Sequence, residues 1–174
     1  MKKIISLVLS VVVVLTFAMF AIGSGSSDEP TVTPGEENTE QVENIVSNKD
    51  TIVKVGEILT ANDLSITYVS CEEYTGYNQY FGPKDGNKII RLYFNVENKG
   101  QTDRMISTFE FNCYADDVAM DSYYEDDSIS ATLSAGRKAD GAVYFEVPID
   151  AEVIEVEYET DFWSDGKATF EVVL

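Results

Sequence analysis

The sequence predicts an all-β fold, an antiparallel sandwich of about seven or eight strands, in a protein that is exported from the cell. Three observations support this: an apolar run behind two lysines at the N-terminus, alternating apolar and polar residues after residue 50, and glycine-containing turns between the alternating stretches. We therefore predict three parts. Residues 1–23 are a signal peptide or signal anchor, 24–50 a disordered acidic linker, and 51–174 the sandwich.

The N-terminus carries the marks of an export signal. Two lysines precede a charge-free run over residues 4–23, and its last residues are small, which predicts cleavage between Gly23 and Ser24. The same run, as a helix, would reach roughly 30 Å and could stay in the bilayer as an anchor. In both cases the positive-inside rule places the rest of the chain outside the cell.

Residues 24–50 contain Ser, Gly, Pro, Thr and Glu but no aromatic residue. So little apolar surface does not offset the entropy of ordering, and we expect disorder. As a flexible coil the segment spans roughly 30 Å, suited to a membrane tether or to a spacer behind a cleaved signal. Ser24 stands where an exported lipoprotein has its lipid-bearing cysteine, and its hydroxyl cannot replace that thiol.

The composition argues against several classes of function. Twelve Lys and Arg against 31 Asp and Glu give a net charge of −19, which repels nucleic acid and anionic lipid. Histidine is absent. The chain therefore lacks the usual near-neutral acid or base, the Ser-His and Cys-His catalytic pairs, and the common sets of zinc ligands. We expect no catalytic residue, no metal and no cofactor, and therefore no enzyme.

Alternation after residue 50 assigns side chains to two faces of each strand. The residues expected to point inward are Leu64, Ile66, Tyr68, Ile90, Leu92, Phe94, Val96, Phe109, Phe111, Cys113, Val143, Phe145, Val147, Ile154, Val156, Tyr158, Ala168, Phe170, Val172 and Leu174. Their neighbours, such as Arg91, Tyr93, Tyr144 and Glu146, are expected to point outward.

Turn residues separate these stretches. Asp85-Gly86, Asn98-Lys99-Gly100 and Asp165-Gly166 each lie between β-rich runs, where a tight turn must tolerate positive φ. Pro148 is expected to end a strand because proline cannot donate to a central ladder. This spacing of short strands is typical of a sandwich that is immunoglobulin-like in the broad sense.

Three stretches of the chain resemble the family called domain of unknown function 4352, over about residues 53 to 160. That family occurs on exported bacterial proteins and is similar to a secreted immunoprotective antigen with an immunoglobulin-like sandwich. Ala135 replaces a proline usual in the family, and Ser24 replaces a cysteine that many members carry. The resemblance implies the fold but no activity. The matching residues are Val55-Gly56-Glu57, Glu97-Asn98-Lys99-Gly100, Gly136, Gly141 and Phe145-Glu146-Val147-Pro148.

Cys71 and Cys113 are the only cysteines, and an even count in an exported domain suggests a disulfide. The strand pattern that sends Tyr68 inward would send Cys71 outward, away from Cys113, unless a β-bulge between them reverses the phase. The alternatives are a bond closing a loop of about 41 residues and adding about 3–4 kcal/mol, or two free, partly buried thiols.

Four aromatic residues stand out in a predicted loop after the first strands. Tyr74, Tyr77, Tyr80 and Phe81 lie among Gly, Asn, Gln and Pro. Amphipathic aromatic side chains on loops supply binding area at low entropic cost. The alternative is that two of the four fold back and cap the open end of the sandwich.

The stretch "ADDVAMDSYYEDDS" is rich in carboxylates, and calcium binds six or more oxygens from such groups. Its spacing matches no calcium loop, and a solvated acidic edge that discourages strand-to-strand aggregation fits better. The residues concerned are Asp116, Asp117, Asp121, Glu125, Asp126 and Asp127.

Together these features predict a secreted or cell-surface, non-catalytic binding module for an unknown extracellular protein or envelope component. The alternative is a structural spacer with an acidic coat and no specific ligand. A calcium-binding domain or a small extracellular hydrolase fits less well, because a domain of this size lacks the long loops that wall a sugar cleft. The sequence assigns no oligomeric state.

Overall fold

The computed structural model describes residues 31–34, 51–160 and 166–174. The predicted signal segment at residues 1–23, with its cleavage site between Gly23 and Ser24, lies outside these ranges. Within them, no helix is long and apolar enough to cross a membrane.

The regular secondary structure of the described residues consists of β-strands and one 3-10 helix at Thr108–Glu110. The strands are rich in β-branched and aromatic residues, which pack well on a pleated surface. Their bounds are β1 Thr31–Pro34, β2 Thr51–Val53, β3 Glu57–Ala61, β4 Leu64–Tyr74, β5 Asn87–Asn98, β6 Arg104–Ser107, β7 Phe111–Ala115, β8 Val118–Ala119, β9 Asp121–Tyr123, β10 Ser130–Leu133, β11 Lys138–Pro148, β12 Ile154–Glu159 and β13 Lys167–Glu171.

The strands assemble into two main sheets. One has six strands in the order β1-β3-β4-β5-β11-β9, and the other has five in the order β2-β13-β12-β7-β8. Strands β6 and β10 form a separate pair. The described pairs are antiparallel except β2 with β13. The predicted all-β sandwich is confirmed. The predicted number of strands was too low, because strands such as β8 and β9 are too short to show alternation.

The core between the sheets follows the predicted alternation, and its centre is aromatic. The Phe94 ring on β5 lies 5.4 Å from Tyr68 and 5.3 Å from Phe111 in stacked arrangements. It also meets Phe170 edge-on at 4.9 Å. Ring pairs of this kind contribute about 0.5–1.5 kcal/mol beyond the area they bury. These contacts join the six-stranded sheet to the five-stranded one.

Phe109 departs from the predicted alternation, because its side chain is 82% exposed. The 3-10 helix at Thr108–Glu110 interrupts the strand and resets the phase, so that Phe111 and Cys113 point inward as predicted. A capping box holds this turn: the Ser107 hydroxyl accepts from the Phe109 amide, and the Glu110 carboxylate accepts from the Ser107 amide. Leu174, also predicted inward, is 52% exposed beyond the end of β13.

Four residues of the predicted disordered linker form strand β1. Thr31–Pro34 pairs with β3 along its whole length, and Val32 packs against the core. A Thr-Val-Thr sequence of β-branched residues is well suited to an edge strand. The rest of the predicted linker, 24–30 and 35–50, lies outside the described residues.

The turn that follows β5 is organised by the fully buried Asn98. Its side-chain amide donates to the carbonyls of Thr102 and Leu133 at 2.8 and 2.7 Å, and its side-chain oxygen accepts from the Gly100 amide at 2.9 Å. A side chain at position 100 would meet Asp63 at 2.6 Å, so only glycine fits there. Asn98 and Gly100 belong to a stretch that resembles the family, and their role there is therefore structural.

Candidate functional site

A second cluster of aromatic residues lies on the outer face of the six-stranded sheet, away from the core. Ile89, Ala142 and Tyr144 are buried there beneath partly buried tyrosines. Tyr144 thus points outward, as predicted, but is only 2% exposed, because other side chains cover it. We call the tyrosines of this cluster the tyrosine face; they are Tyr74, Tyr77, Tyr93, Tyr123 and Tyr144.

Ring contacts hold the tyrosine face together. The Tyr74 ring meets the Tyr144 ring edge-on at 5.0 Å and the Tyr77 ring at 6.4 Å. Tyr123 meets Tyr144 from the other side at 6.3 Å. The strand register explains the arrangement, since Tyr144 of β11 lies opposite Tyr123 of β9 and Arg91 of β5.

Arg91 is held in the middle of this surface. Its guanidinium donates to Glu72 at 2.9 Å and to Asp127 at 2.6 Å, and it lies 4.8 Å from the Tyr93 ring centre and 5.9 Å from that of Tyr144. Burial alone would lower the pKa of Arg91, but the hydrogen bonds to the two carboxylates raise it above its ordinary value. The Arg91 side chain is thus a charged group packed between rings and carboxylates.

Three tyrosine hydroxyls donate to carboxylates on the same face. Tyr144 donates to Asp127 at 2.5 Å, Tyr93 to Asp140 at 2.6 Å, and Tyr123 to Glu125 at 3.1 Å. Each hydroxyl orients one carboxylate, and the second oxygen of Asp127 accepts from Arg91.

The pKa values on this face shift in the directions that these hydrogen bonds require. Burial, and then the bond to Glu125, raise the pKa of Tyr123 to about 12. Burial by itself would raise the pKa of Asp127, but the bonds from Tyr144 and Arg91 hold it below its ordinary value. The carboxylate of Asp127 is therefore ionised at neutral pH and cannot serve as a general acid.

The predicted aromatic loop divides into two pairs. Tyr74 is the last residue of β4 and so does not belong to the loop, contrary to the prediction, whereas Tyr77 folds back; both cover the outer face of the six-stranded sheet and not the end of the sandwich. Tyr80 and Phe81 are 79% and 69% exposed; we call this pair the loop tip. Glycines let the backbone pass close to the folded-back rings, because a side chain at Gly76 would meet Tyr74 at 2.8 Å.

Hydrogen bonds fix the loop on both sides of its tip. The Asn78 side-chain oxygen accepts from the Tyr80 amide at 3.0 Å, and the Asn78 carbonyl accepts from the Phe81 amide at 2.8 Å. Behind the tip, the Glu146 carboxylate accepts from the Lys84 amide and the Asn87 side chain at 2.9 and 2.7 Å. The two exposed rings are therefore presented by a supported loop.

A polar groove continues the same outer face beyond Tyr93. It has a volume of about 360 Å³. Its floor includes Ser65, Thr67 and Asn95, and its wall includes Asp140, which accepts from the Tyr93 hydroxyl. The outer face is thus aromatic at the end near the loop tip and polar at the other end.

The two cysteines lie on opposing sheets and face the same core. The strand register shifts between Tyr68 and Ser70, so a β-bulge, one of the two possibilities left open by the sequence, turns Cys71 inward, and Cys71 packs against the core that contains Cys113. Burial, and then the nearby Cys71, raise the pKa of Cys113 to about 12. Both are free thiols in this structure, and the disulfide stays a prediction.

The carboxylates considered for calcium have separate partners. Asp116 accepts from the amides of Glu152 and Val153, and Asp121 forms an ion pair with Lys84. Within the described ranges, no group of three or more His, Cys, Asp or Glu residues is placed to hold a metal ion. The calcium alternative therefore has no geometric support in this part of the chain.

Sequence reasoning did not find two of these features. Arg91 was assigned only to an outward face, although Tyr93 two residues later on the same face indicated a cation–ring contact. Phe109 was assigned to the core, whereas it meets Tyr124 on the surface, with ring centres 6.4 Å apart. A capping sequence at Ser107 and Glu110 was the available sign that the strand breaks there.

Comparison with known proteins identifies a family and a fold. Residues 53–168 match the family model of a domain of unknown function, DUF4352, and no curated protein matches the chain. The solved structure of MPT63, a secreted protein of Mycobacterium tuberculosis, superposes with a TM-score of 0.54 at 19% identity, over 72% of this chain and 99% of MPT63.

Two Bacillus subtilis structures are also similar. YjhA has a TM-score of 0.54 at 17% identity, over 69% of this chain and 98% of YjhA. The candidate lipoprotein YcdA has a TM-score of 0.51 at 17% identity, over 65% of this chain but only 37% of YcdA. At these identities the similarity shows a shared fold.

Proposed function

We propose a function for this chain, which belongs to the DUF4352 family of domains of unknown function: it is an extracytoplasmic, non-catalytic binding module. Its contact surface is the loop tip, Tyr80 and Phe81, supported by the tyrosine face. The partner is an extracellular protein or an envelope component. The exposure of two large aromatic side chains on a loop fixed by hydrogen bonds carries this proposal.

Exposed aromatic residues of this kind favour binding for energetic reasons. A ring held in solvent gains free energy when a partner removes it from water, at about 25 cal/mol per Å² of apolar area. Because the loop is held at Asn78 and at Glu146, little further ordering is needed when a partner binds. Clusters of buried aromatic residues carry much of the energy of protein interfaces.

The chemistry of the described residues favours binding over catalysis. The carboxylates of Glu72 and Asp127 are both ion-paired with Arg91, and Glu110, whose pKa burial raises, caps a 3-10 helix. The protein has no histidine. These features leave no obvious pairing of a nucleophile with a base among the described residues.

The proposed location follows from the predicted export signal. The basic start and the apolar run at residues 4–23 place the domain outside the membrane, whether or not cleavage after Gly23 releases it. The secreted MPT63 shares the fold, which supports the same compartment.

A spacer with an acidic coat is the alternative, and it is favoured by the net charge of −19. The two functions differ in what the loop tip tolerates. When Tyr80 and Phe81 are replaced by serine, a spacer should function as before, whereas a binding module should no longer bind its partner.

The test places a photo-crosslinking amino acid at position 80 in the producing cells. The matched control carries it at Val118, which is 60% exposed on β8 of the five-stranded sheet. We expect a discrete crosslinked species from position 80 and none from position 118. Equal labelling at both positions, or none at either, would favour the spacer.

A further inference from the structure

We infer that the loop tip and the adjoining tyrosine face bind a cationic partner, namely a lysine- and arginine-rich segment of another protein. This inference rests on the proposed function and adds the chemistry of the partner. Charge complementarity selects it: the protein carries 31 acidic and 12 basic side chains.

Seven of the nine basic side chains among the described residues are already in ion pairs, and the excess of carboxylates over the whole sequence makes the outward field negative. A field of that sign attracts cationic segments and repels anionic ones. The side chains already in ion pairs are Lys54, Lys84, Arg91, Lys99, Arg104, Lys138 and Lys167.

Arg91 shows how a cation is accommodated on this surface. Its guanidinium lies between the carboxylates of Glu72 and Asp127, over the rings of Tyr93 and Tyr144. The arrangement combines ion pairing with cation–π attraction, and the two add because the ring face is electron-rich. A partner's arginine or lysine would find the same two kinds of group at the loop tip.

Glu125 is the carboxylate placed to receive such a side chain. Its oxygen accepts from the Tyr123 hydroxyl at 3.1 Å, and the negative charge of Glu125 raises the pKa of Tyr74 after the effect of burial. Within the described residues it forms no ion pair with lysine or arginine, unlike Asp127. Among the described residues, a carboxylate that is in no ion pair therefore lies next to the tyrosine rings.

The loop tip supplies the exposed rings. Tyr80 and Phe81 are mostly exposed, so their faces are free to stack on a guanidinium or on the methylene groups of lysine. Glu73 and Asp85 flank the loop and are exposed as well. The loop thus offers uncovered rings between exposed carboxylates along the chain, which favours a basic segment over a neutral or acidic one.

The test is a binding titration of the purified full protein with three fluorescent peptides of twelve residues. One is an arginine-lysine peptide, one a glutamate peptide, and one a glycine-serine peptide. We expect binding of the basic peptide alone, weakening as sodium chloride is raised, since exposed charges are screened over about 8 Å at physiological ionic strength.

Matched variants distinguish a site from general charge attraction. E125Q and E155Q each remove one charge, but Glu155 is exposed on β12 of the five-stranded sheet. Y80S/F81S removes two rings, and F109S removes an exposed ring outside the surface. We expect E125Q and Y80S/F81S to weaken basic-peptide binding by about fivefold each, and E155Q and F109S by less than about twofold.

Two results would overturn the inference. One is equal weakening by E125Q and E155Q, which would mean unspecific attraction to an acidic protein. The other is binding of a neutral oligosaccharide, included as a fourth probe, that Y80S/F81S abolishes while the basic peptide does not bind. In both cases crosslinking at position 80 would still support the proposed binding function, whereas its absence would remove that function too.

Discussion

At the scale of single residues, buried polar side chains determine the loop geometry. Asn98 is fully buried, yet its amide group makes three hydrogen bonds to the backbone at Gly100, Thr102 and Leu133. Such a group stabilises only while each partner is present, because a buried unpaired carbonyl or amide loses its hydration without compensation. One side chain therefore joins the end of β5 to the end of β10.

We expect N98A to lower the free energy of unfolding by about 2–4 kcal/mol, since it removes three hydrogen bonds and leaves buried carbonyls unpaired. The matched control is N95A, at an exposed position of the same strand, which should cost less than about 0.5 kcal/mol. Urea unfolding followed by circular dichroism measures both. Similar losses in the two variants would contradict the role assigned to Asn98.

The hydrogen bonds of Asp127 predict that the stability of the fold depends on pH. Its folded-state pKa lies below the ordinary value of 3.8, because the hydrogen bonds from Tyr144 and Arg91 outweigh burial. A lowered carboxyl pKa contributes stability that is present above about pH 4 and is lost as the pH falls through the folded-state pKa. We therefore expect the melting temperature to fall less between pH 5 and pH 2 in D127N than in the unmodified protein.

The exposed neighbour Asp126 provides the control for this measurement. D126N should keep the acid dependence of the unmodified protein. Glu110, whose pKa burial raises, acts in the opposite direction and is unchanged in both variants. An identical acid dependence in D126N and D127N would show that the pairing with Arg91 contributes nothing to stability.

At the scale of elements, the described edges of the sheets are short or covered. Strand β1 covers the edge of β3, although it comes from a segment of acidic, polar composition. Only Val32 of its four residues is partly buried, so the strand is held mainly by its backbone pairing. An uncovered β3 would present free amides and carbonyls to a second copy of the chain.

We expect V32D to detach β1 and to increase hydrogen exchange of the β3 amides, with a global loss of less than about 1 kcal/mol. T31D introduces the same charge one residue away, at an exposed position, and should leave exchange unchanged. Exchange measured by mass spectrometry, together with light scattering for new dimers, provides the readout. Unchanged protection of β3 in V32D would show that β1 is not needed to cover the edge.

At the scale of the whole molecule, packing at the aromatic centre joins the two sheets, and a polar contact adds to it: the Tyr68 hydroxyl on β4 donates to the carbonyl of Glu171 on β13 at 3.0 Å. Cys71 and Cys113 lie on opposite sheets of this core. A disulfide between them would join the sheets covalently.

In an oxidising compartment we expect this disulfide to form. On reduction, the intact mass should rise by about 2 Da, and the free energy of unfolding should fall by about 3–4 kcal/mol. After reduction, the two thiols of the folded protein should resist thiol reagents, because burial raises the pKa of both cysteines. C71A and C113A should each unfold identically with and without reductant. Two titratable thiols in the unreduced, unfolded protein would refute the bond.

Much of the fold could be predicted because alternation is a local property of a strand. Ile90, Leu92, Phe94 and Val96 are buried as the period of two required. The prediction that Phe109 points inward was wrong because the period of two holds only within a continuous strand. Here a 3-10 helix interrupts the strand. The bulge in β4 could be named from the sequence only as a condition for a bond between Cys71 and Cys113, and the strand register places it between Tyr68 and Ser70.

Of the candidate site, sequence identified the four aromatic residues but not their separate roles. All four have similar neighbours in the sequence, but in the structure Tyr74 ends β4 and Tyr77 turns back over the sheet, so both are partly buried, whereas Tyr80 and Phe81 stay exposed. The burial of Tyr144 likewise could not be read from its strand, because it depends on the tyrosine side chains that cover its ring.

By itself, the sequence determined the fold class, the inward face of most strands and the acidic surface, because backbone geometry and composition act locally or as simple totals. Tertiary structure alone decided that β1 covers an edge, that Cys71 and Cys113 face one core, and that Arg91 lies between rings. Each of these depends on residues far apart in the chain, and the register of strand pairing, which brings them together, is set by the packing of the whole sandwich.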